Sequence, residues 1–338
     1  MIKSEKKISV VILNYNGEKY LKKFLPSIIK YSDKKLSSIY LIDNNSSDNS
    51  ISLVKQKFPS IKVIHNKNNY GYSKGYNIGL RNIKSDYIVL INNDVEVGKN
   101  WLLPMFNSME QNNEIGSCQP KILSYKNKTS FEYAGASGGY IDFLGYPYCR
   151  GRIFDTIELD KGQYDSPKEI FWSSGACMMI RNKLFKELGG FDETFYAHME
   201  EIDLCWRIKR LGLKNFCFPK SRVYHLGGGT LEYNNPKKTY LNFRNNLIMI
   251  CKNEPLVSLL IKLPIRLFLD FLASIYLLIK NKSLLHFLEV IKAYISFILN
   301  LPRLLYNRKN TKKNSIKINK SVIPFEYYLR GKKRFSDL

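Results

Sequence analysis

The 338-residue sequence predicts an α/β protein: a mostly parallel sheet with helices on both faces, followed by a C-terminal amphipathic helical region. Two observations lead to this fold class. From residue 8 to about 120, short runs rich in β-branched residues alternate with amphipathic stretches, as in buried parallel strands joined by helices. Residues 256–301 are almost wholly apolar and are interrupted by single charged residues.

The elements follow from this alternation. Strands are predicted at 8–14, 39–43, 61–66 and 86–94, and helices at 18–31, from the NNSSDNS cap region to 58, at 76–82 and at 101–112. The region 120–225 is irregular and aromatic, with a further strand-like run, FWSSGACMMI, at 171–180. Ligands of open parallel sheets bind beyond the carboxyl ends of the strands, so site residues are expected there.

The charge balance predicts a polyanionic partner. The chain carries 53 Lys and Arg against 29 Asp and Glu, a net charge of +24. Nucleic acid is not favoured as the partner, because the basic residues lie beside apolar helices and are not interleaved with stacking aromatics. The six cysteines are widely spaced with no CxxC pair, which favours a reducing cytosolic compartment over a disulfide or zinc framework.

The C-terminal region is predicted to lie on an anionic membrane surface. Charged residues within 256–301 leave no uncharged run of the ~20 residues that a spanning helix needs. One or two amphipathic helices on the membrane, followed by basic residues through 303–334, fit this pattern better. A helical hairpin packed on the preceding domain, or a homodimer interface, stays open as an alternative. The predicted location is cytoplasmic, peripherally associated with the inner face of the cell membrane.

Three domains are expected from these changes in character. Residues 1–230 form the α/β domain, 231–305 the amphipathic helices, and 306–338 a basic tail.

Three predicted strands end in similar polar triplets. They read Asn14-Tyr15-Asn16, Asp43-Asn44-Asn45 and Asn92-Asn93-Asp94. A single Asn/Asp-rich turn is ordinary turn chemistry, but three at corresponding strand ends predict a polar, ligand-binding rim. Asp94 is the candidate ligand for a divalent cation, which would in turn hold phosphate oxygens.

Two glycine-rich segments point to the same chemistry. NNYGYSKGYNIGL (68–80) does not match a dinucleotide fingerprint, but its backbone can approach a phosphate at a helix start; a tight strand–helix connection explains it equally well. In VYHLGGGT (223–230), His225 projects from a strand end before three glycines. This arrangement favours a metal or diphosphate role for His225 over a structural one.

The acidic stretch FYAHMEEIDLCWRIKRLG (195–212) predicts a general base. On a helical wheel, Glu201 falls beside the aliphatic face of Leu204, Ile208 and Leu211, while Asp203 and Arg207 fall on the other side. A carboxylate against a packed face is partly desolvated, which raises its pKa toward neutrality. Favourable interaction with the helix dipole is the alternative explanation, and it suits Asp203 better than Glu201. His198 receives no role.

The motifs in their order resemble bacterial inverting glycosyltransferases of family 2, which have the GT-A fold, a Rossmann-like nucleotide-binding α/β domain. The resemblance covers about residues 8–230 and is closest to rhamnosyltransferases that build cell-surface polysaccharides. It rests on VVILNYNGEKYL, LIDNNSSDNS, NNYGYSKGYNIGL, LINNDVEV, SSGACMMIR, GGFDETFYAHMEEIDLCWR and VYHLGGGT. The later YLNFRNNLIMICKN, followed by amphipathic helices, is also similar to the C-terminal part of such enzymes.

The resemblance implies roles for particular residues. Glu201 would be the catalytic base, with Glu200 as its neighbour in the site. Asp94 would hold Mg²⁺ or Mn²⁺ on the donor diphosphate, with His225 assisting. Substrate contacts are expected from Asn14, Tyr15, Asn16, Asp43, Asn45, Gly71, Asn77, Asn92, Asn93 and Arg207. The chain departs from the family twice: Glu201 stands where Asp is usual, and Asn92 stands where many members carry the first Asp of a D-x-D triplet.

The implied reaction moves a rhamnose or another hexose from a UDP- or dTDP-sugar to a hydroxyl of a lipid-linked or glycan acceptor. Two other classes are open. A nucleotidyltransferase would carry a Gly-rich, basic triphosphate loop after the first strand, where this chain has NYNGEKYL. A non-catalytic nucleotide-sugar-binding homologue is the second alternative, because of the two departures.

Overall fold

The computed structural model describes residues 6–227, 235–306, 308, 316, 318 and 320–338. The strands are β1 Ile8–Asn14, β2 Ser37–Asp43, β3 Lys62–His65, β4 Tyr87–Asn92, β5 Val95–Val97, β6 Ile115–Ser124, β7 Gly139–Ile141, β8 Pro147–Cys149, β9 Arg152–Ile153, β10 Thr156–Ile157, β11 Lys168–Ile170, β12 Cys177–Arg181 and β13 Lys214–His225. The helices are α1 Glu18–Tyr31, α2 Ser50–Lys57, α3 Gly71–Gly79, α4 Leu103–Gln111, α5 Asn182–Glu187, α6 Glu200–Arg210, α7 Pro236–Asn253, α8 Leu256–Asn281, α9 Leu284–Tyr306 and α10 Ile323–Tyr328.

The main sheet confirms the predicted fold class. Its strand order is β11-β13-β6-β12-β4-β1-β2-β3, and β5 pairs with β13. The strands β4, β1, β2 and β3 are parallel neighbours, and β13 runs parallel to β6. Only β12, β11 and β5 run against them among the described strands, so the sheet is mixed but mostly parallel. A second, four-stranded sheet has the order β10-β9-β8-β7.

Successive residues of the central strands pack on opposite faces of the sheet. On β4, Ile88 and Leu90 belong to one buried cluster, whereas Val89 and Ile91 belong to the other. This two-residue period buries both faces of the sheet, as expected of a parallel strand covered by helices.

Two predicted elements differ from the structure. Helix α3 begins at Gly71, five residues before the predicted start, because the Asn69 side chain accepts the Gly71 N–H at 3.1 Å and caps the Gly-rich loop. The run 171–180 becomes a strand only at Cys177. Before it, the Ser174 hydroxyl accepts the Ala176 N–H at 3.1 Å and donates to the Ala134 carbonyl at 2.7 Å, which holds a turn.

Three charged residues of α8, Lys262, Arg266 and Asp270, point into the protein. Lys262 pairs with Glu254 at 2.7 Å, and Arg266 pairs with Asp270 at 3.1 Å, all four being buried. Tyr146, in the loop between β7 and β8, donates to Asp270 at 2.6 Å. The four-residue spacing of 262, 266 and 270 places these charges on one helix face, which docks on the α/β domain.

The opposite face of this helical hairpin is apolar and exposed. Val257, Leu260 and Ile279 are 75%, 78% and 72% exposed, and Leu299 on α9 is 75% exposed. By length and composition, α9 could cross a membrane, although the sequence predicted surface helices.

Part of the predicted basic tail folds onto the α/β domain. The Ile323 N–H donates to the buried Asp142 carboxylate at 2.8 Å. Ile323 and Tyr327 of α10 pack against Tyr148 and Ile153 of the small sheet. The other tail residues 307, 309–315, 317 and 319 lie outside the described residues.

Candidate active site

The strand register brings the three polar triplets together at one sheet edge, as predicted. Asn14 lies opposite Asp43, and Leu13 lies opposite Asn92. The Asn14 side chain then joins two neighbours: its oxygen accepts the Asn93 amide at 2.9 Å, and its nitrogen donates to Ser46 Oγ at 3.2 Å. The carboxyl ends of β1, β2 and β4 therefore form one hydrogen-bonded rim.

A loop beside this rim is held by side-chain oxygens. The Asp43 carboxylate accepts the Ser46 N–H at 3.2 Å, and Asn16 Oδ1 accepts the Ser47 N–H at 2.8 Å. Asn16 and Asn45 have φ angles of 50° and 66°, left-handed values that Asn tolerates better than most residues. Tyr15 is 49% exposed beside them, and its ring is available to stack on a planar group.

Gly71 permits a close contact between the start of α3 and the loop before α6. Its φ is 74°, and a Cβ there would meet the Tyr196 ring at 2.6 Å. The Tyr72 N–H donates to the Tyr196 carbonyl at 2.9 Å. Gly71 thus lies against Tyr196, and the Gly-rich loop is packed against the loop before α6.

Asn77 and Arg207 make their hydrogen bonds to backbone groups of one loop. Asn77 donates to the Phe191 carbonyl at 2.8 Å and accepts the Phe191 N–H at 2.9 Å. Arg207 donates to the carbonyls of Leu188 and Gly190 at 2.9 and 3.0 Å. In this structure both side chains hold the GGFDE loop.

Asp94 and His225 meet because β5 pairs antiparallel with the end of β13. His225 lies opposite Val95, and the Leu226 N–H donates to the Asp94 carbonyl at 3.0 Å. His225 Nε2 is 3.1 Å from Asp94 Oδ1, and its Nδ1 is 3.1 Å from Glu132 Oε2. The glycines at 228 and 229 that follow lie outside the described residues.

The imidazole of His225 is thus buried between two carboxylates. Burial favours its neutral form, but the charges of Asp94 and Glu132 outweigh burial and raise its pKa to about 10. Histidines that bind metals usually direct one ring nitrogen to a carboxylate and the other to the ion. In His225, Nδ1 faces the Glu132 carboxylate, while Nε2 faces the carboxylate of Asp94, the predicted cation ligand. Within the described residues, however, no group of three His, Cys, Asp or Glu side chains surrounds a point where a metal ion would fit.

Glu200 and Glu201 occupy the first turn of α6 with little solvent contact. Glu200 is 4% exposed, and Glu201 is partly buried. Among the described residues, Oε2 of each carboxyl group has no hydrogen-bond partner. Burial and the neighbouring Glu201 charge raise the pKa of Glu200 well above its ordinary value. Burial also raises the pKa of Glu201, but nearby backbone N–H groups, including that of Gly175, oppose the rise.

The helical wheel was wrong about which faces of α6 are buried. Asp203, placed by the wheel on the side away from the aliphatic residues, is 2% exposed, and it accepts hydrogen bonds from Arg207 at 2.8 Å and Asn253 at 2.7 Å. Leu211, predicted on the packed face, is 58% exposed. The wheel assumed one packed face, whereas α7 covers the side of α6 that carries Asp203, and α6 ends at Arg210.

Gly175 and Ala176 connect the carboxylate pair to the strand edge. A Cβ on Gly175 would lie 3.7 Å from the Glu201 carboxyl carbon. One residue on, the Ala176 carbonyl accepts the Asn92 N–H at 3.1 Å. The two-residue segment Gly175–Ala176 therefore contacts Glu201 at its first residue and Asn92, the first residue of the Asn92–Asp94 triplet, at its second.

Three residues of this site were not found from the sequence. Glu132 contacts His225 but comes from a stretch of the irregular middle region in which no motif was recognised. Tyr72 donates to the Gly175 carbonyl at 2.7 Å. Gly175 itself stands in the SSGACMMIR motif, where a Cβ would lie 3.0 Å from the Tyr72 hydroxyl.

Comparison with known proteins decides the family. The model of glycosyl transferase family 2 matches residues 9–189, more than half of the chain. The chain belongs to glycosyl transferase family 2. The predicted resemblance is therefore confirmed, and the protein is a glycosyltransferase.

Curated relatives of this glycosyltransferase are distant in sequence. It is 24% identical to an N-acetylglucosaminyl-diphospho-decaprenol L-rhamnosyltransferase of Mycobacterium tuberculosis over 64% of this chain and 75% of the relative. It is 24% identical to a low-salt glycan biosynthesis hexosyltransferase of Haloferax volcanii, over 71% of this chain and 74% of the relative. A rhamnosyltransferase of Escherichia coli, WbbL, is 22% identical over 64% and 83%.

Solved structures share the GT-A fold with this enzyme. TarS of S. aureus (residues 1–349) has a TM-score of 0.57 at 16% identity, with 88% of this chain and 82% of that chain covered. A mannosyltransferase of Pyrobaculum calidifontis, solved with GDP-Man and Mn²⁺, has a TM-score of 0.54 at 12% identity, with 88% of each chain covered.

Replacing Glu200 by Gln is expected to stabilise the protein at neutral pH. With its folded pKa raised, Glu200 holds a proton in the folded state that the unfolded chain releases above its own pKa of about 4.3. Stability therefore falls as pH rises through the window between the two pKa values. Glu200→Gln should raise Tm by a few degrees at pH 7.5, with no difference below about pH 4.

Thermal unfolding of wild type and variant across this pH range checks the expectation. Glu187→Gln is the matched control, because that side chain is 58% exposed on α5. A Tm gap for Glu200→Gln that stays constant from pH 4 to 7.5 would contradict the buried-carboxyl explanation.

Proposed function

We propose that the protein is an inverting glycosyltransferase that moves a hexose, such as rhamnose, from a UDP- or dTDP-sugar to a hydroxyl of a lipid-linked acceptor. The observation that carries the proposal is the buried Glu200–Glu201 pair, only a two-residue segment away from the Asn92–Asp94 strand end. In the reaction, Glu201 accepts the proton of the acceptor hydroxyl while that oxygen forms a bond to the anomeric carbon. The bond from this carbon to the diphosphate oxygen breaks on the opposite side, which inverts the configuration.

The different surroundings of the two carboxyl groups favour Glu201 as the base. Backbone N–H groups stabilise the ionised form of Glu201, whereas burial and the adjacent charge favour the protonated form of Glu200. Two neighbouring acids with pKa values pushed apart divide the roles of proton acceptor and neutral partner. Glu200 would then remain protonated beside the working base.

Asp94 and His225 would hold a divalent cation, Mg²⁺ or Mn²⁺, with diphosphate oxygens completing its ligands. The cation would neutralise the negative charge that develops on the departing diphosphate. Glu132 would hold the His225 ring in place through Nδ1. Two structural neighbours, GalNAc-T7 and the Pyrobaculum enzyme, were solved with Mn²⁺, which supports a divalent cation here. Asn14 and Asp43 would contact the nucleotide at the rim.

The exposed face of the α8–α9 hairpin would bind an anionic membrane surface at the cytoplasmic side. Exposed apolar patches this extensive are rare on monomeric soluble proteins and mark interaction surfaces. Exposed Lys280, Lys282, Lys292 and Arg303 border the apolar face, which suits lipid headgroups of negative charge. The name of the Mycobacterium relative includes a diphospho-decaprenol, a lipid carrier, and this supports a lipid-linked acceptor.

Glu201→Gln is expected to lower kcat by about 10²- to 10⁴-fold, because the amide cannot accept the hydroxyl proton. Donor affinity should stay close to that of wild type. The measurement is product formation, by mass spectrometry, from a panel of UDP- and dTDP-sugars with a lipid-diphosphate acceptor. Glu193→Gln, with a side chain 43% exposed in the loop before α6, is the control and should retain activity. Full activity of Glu201→Gln would refute the assignment of the base, and a wild type inactive on every donor would favour the non-catalytic alternative.

Asp94→Asn is expected to raise the Mn²⁺ concentration needed for half-maximal nucleotide-sugar binding by about 10- to 100-fold, because a charged ligand is lost. Calorimetric titration of the donor at several Mn²⁺ concentrations measures this change without turnover. Asp155→Asn, with a side chain 61% exposed, is the control. Donor binding by Asp94→Asn with wild-type Mn²⁺ dependence would remove Asp94 from the cation site.

Charged substitutions on the hairpin face are expected to abolish membrane binding. Leu260→Glu combined with Phe268→Glu places two charges at positions 78% and 62% exposed, so folding should be preserved. In vesicle flotation, wild type should float with phosphatidylglycerol vesicles and the double variant should remain in solution. Leu211→Glu, at an apolar position 58% exposed outside the hairpin, should float like wild type. Wild type that forms a dimer and does not float would assign the face to a second copy.

A further inference from the structure

The backbone that leads into the carboxylate pair is strained. His198 and Met199, directly before Glu200, have φ angles of 71° and 75°. Two successive residues in the left-handed region are unusual when neither is Gly or Asn, because the side chain crowds the backbone there. Such a turn persists only where its surroundings hold it.

Asn245 of α7 holds this turn from one side. Its side chain is fully buried, and its amide donates to the Ala197 carbonyl at 2.8 Å and to the His198 carbonyl at 2.9 Å. The Asn245 oxygen accepts a hydrogen bond from Arg244 at 2.9 Å, which fixes the orientation of the amide.

The bond to the His198 carbonyl also orients the next N–H group. The His198 carbonyl and the Met199 N–H belong to one planar trans peptide, so they point in opposite directions. With the carbonyl held by Asn245, the orientation of this peptide at the start of α6 is fixed. The Met199 carbonyl accepts the Asp203 N–H at 2.9 Å, and the Met199 N–H lowers the pKa of Glu201. The other titratable groups that face Glu201 are Glu200 and Cys205 on the same helix and Tyr72 on α3.

We propose that Asn245 is a positioning residue that holds the left-handed His198–Met199 turn and thereby fixes the first turn of α6, which carries Glu200 and Glu201. The proposal rests on the proposed function, in which Glu201 is the base. It also gives α7 a direct connection to the reaction, because the same helix packs along α9 of the apolar hairpin.

Asn245→Ala is expected to lower kcat by about 10- to 100-fold with little change in the donor KM. When the turn relaxes and the Met199 N–H moves away, the pKa of Glu201 rises. The base then works only at higher pH, because it must be ionised. The acidic limb of the kcat–pH profile should therefore move to higher pH. Adding His198→Gly should restore part of the lost kcat, because Gly adopts positive φ without strain.

Asn246→Ala is the matched control. Asn246 is the next residue on α7, is 3% exposed, and donates to the Gly145 carbonyl at 3.0 Å. At the turn, its amide touches only the Met199 side chain, at 3.9 Å from the sulfur, and not the backbone carbonyls that Asn245 holds. This variant should lose stability but keep the wild-type pH profile. An Asn245→Ala enzyme with unchanged kcat and pH profile, or one whose losses match those of Asn246→Ala, would overturn the proposal.

Hydrogen exchange of the protein without substrate separates this proposal from the proposed function. In Asn245→Ala, the amides of residues 198–202 should exchange at least about tenfold faster than in wild type, while those of β1 and β4 stay unchanged. Unchanged exchange at 198–202 would overturn the positioning role even in an active enzyme. Faster exchange there in a protein that turns over no donor would support the clamp and refute the proposed reaction.

Discussion

Burial of two adjacent carboxyl groups at the start of α6 is the constraint on which the surrounding structure depends. Glu200 and Glu201 are adjacent and have little contact with solvent. They repel each other when both are ionised, and burial penalises each charge. Backbone N–H groups near Glu201 reduce this electrostatic cost. Packing elsewhere in the protein offsets the remainder. Such a pair is typical of a site where proton affinity matters more than local stability.

Helix α7 joins the C-terminal helices to this site through three asparagines. Asn245 binds the turn before α6, Asn246 binds the Gly145 carbonyl, and Asn253 binds Asp203 within α6. All three are buried, so loss of any of these bonds would leave a buried polar group without its partner. The C-terminal region is in this way continuous with the site rather than appended to it.

Helix α8 buries charged side chains and exposes apolar ones, the reverse of the usual arrangement. Arg266 and Asp270 form a buried pair against Tyr146, so the helix directs its polar side inward and its apolar side outward. The sequence contains both sets of residues but does not say which side faces the domain. That choice depends on the loop between β7 and β8, which supplies the partner hydroxyl and the Leu144 carbonyl.

The sequence by itself determined the fold class, the bounds of β1 and α1, and the meeting of the polar strand ends, because these follow from local periodicity and from the shared edge of parallel strands. The acidic stretch that carries Glu200 and Glu201 was also recognisable, because its residues stand together in the chain. Tertiary structure alone decided that Asp203 is buried, since a helix 50 residues away covers it. It also brought Glu132 to His225 and Asn245 to the turn before the base. Contacts between residues so far apart in the chain depend on how helices and loops pack, and no periodicity within a single segment encodes them.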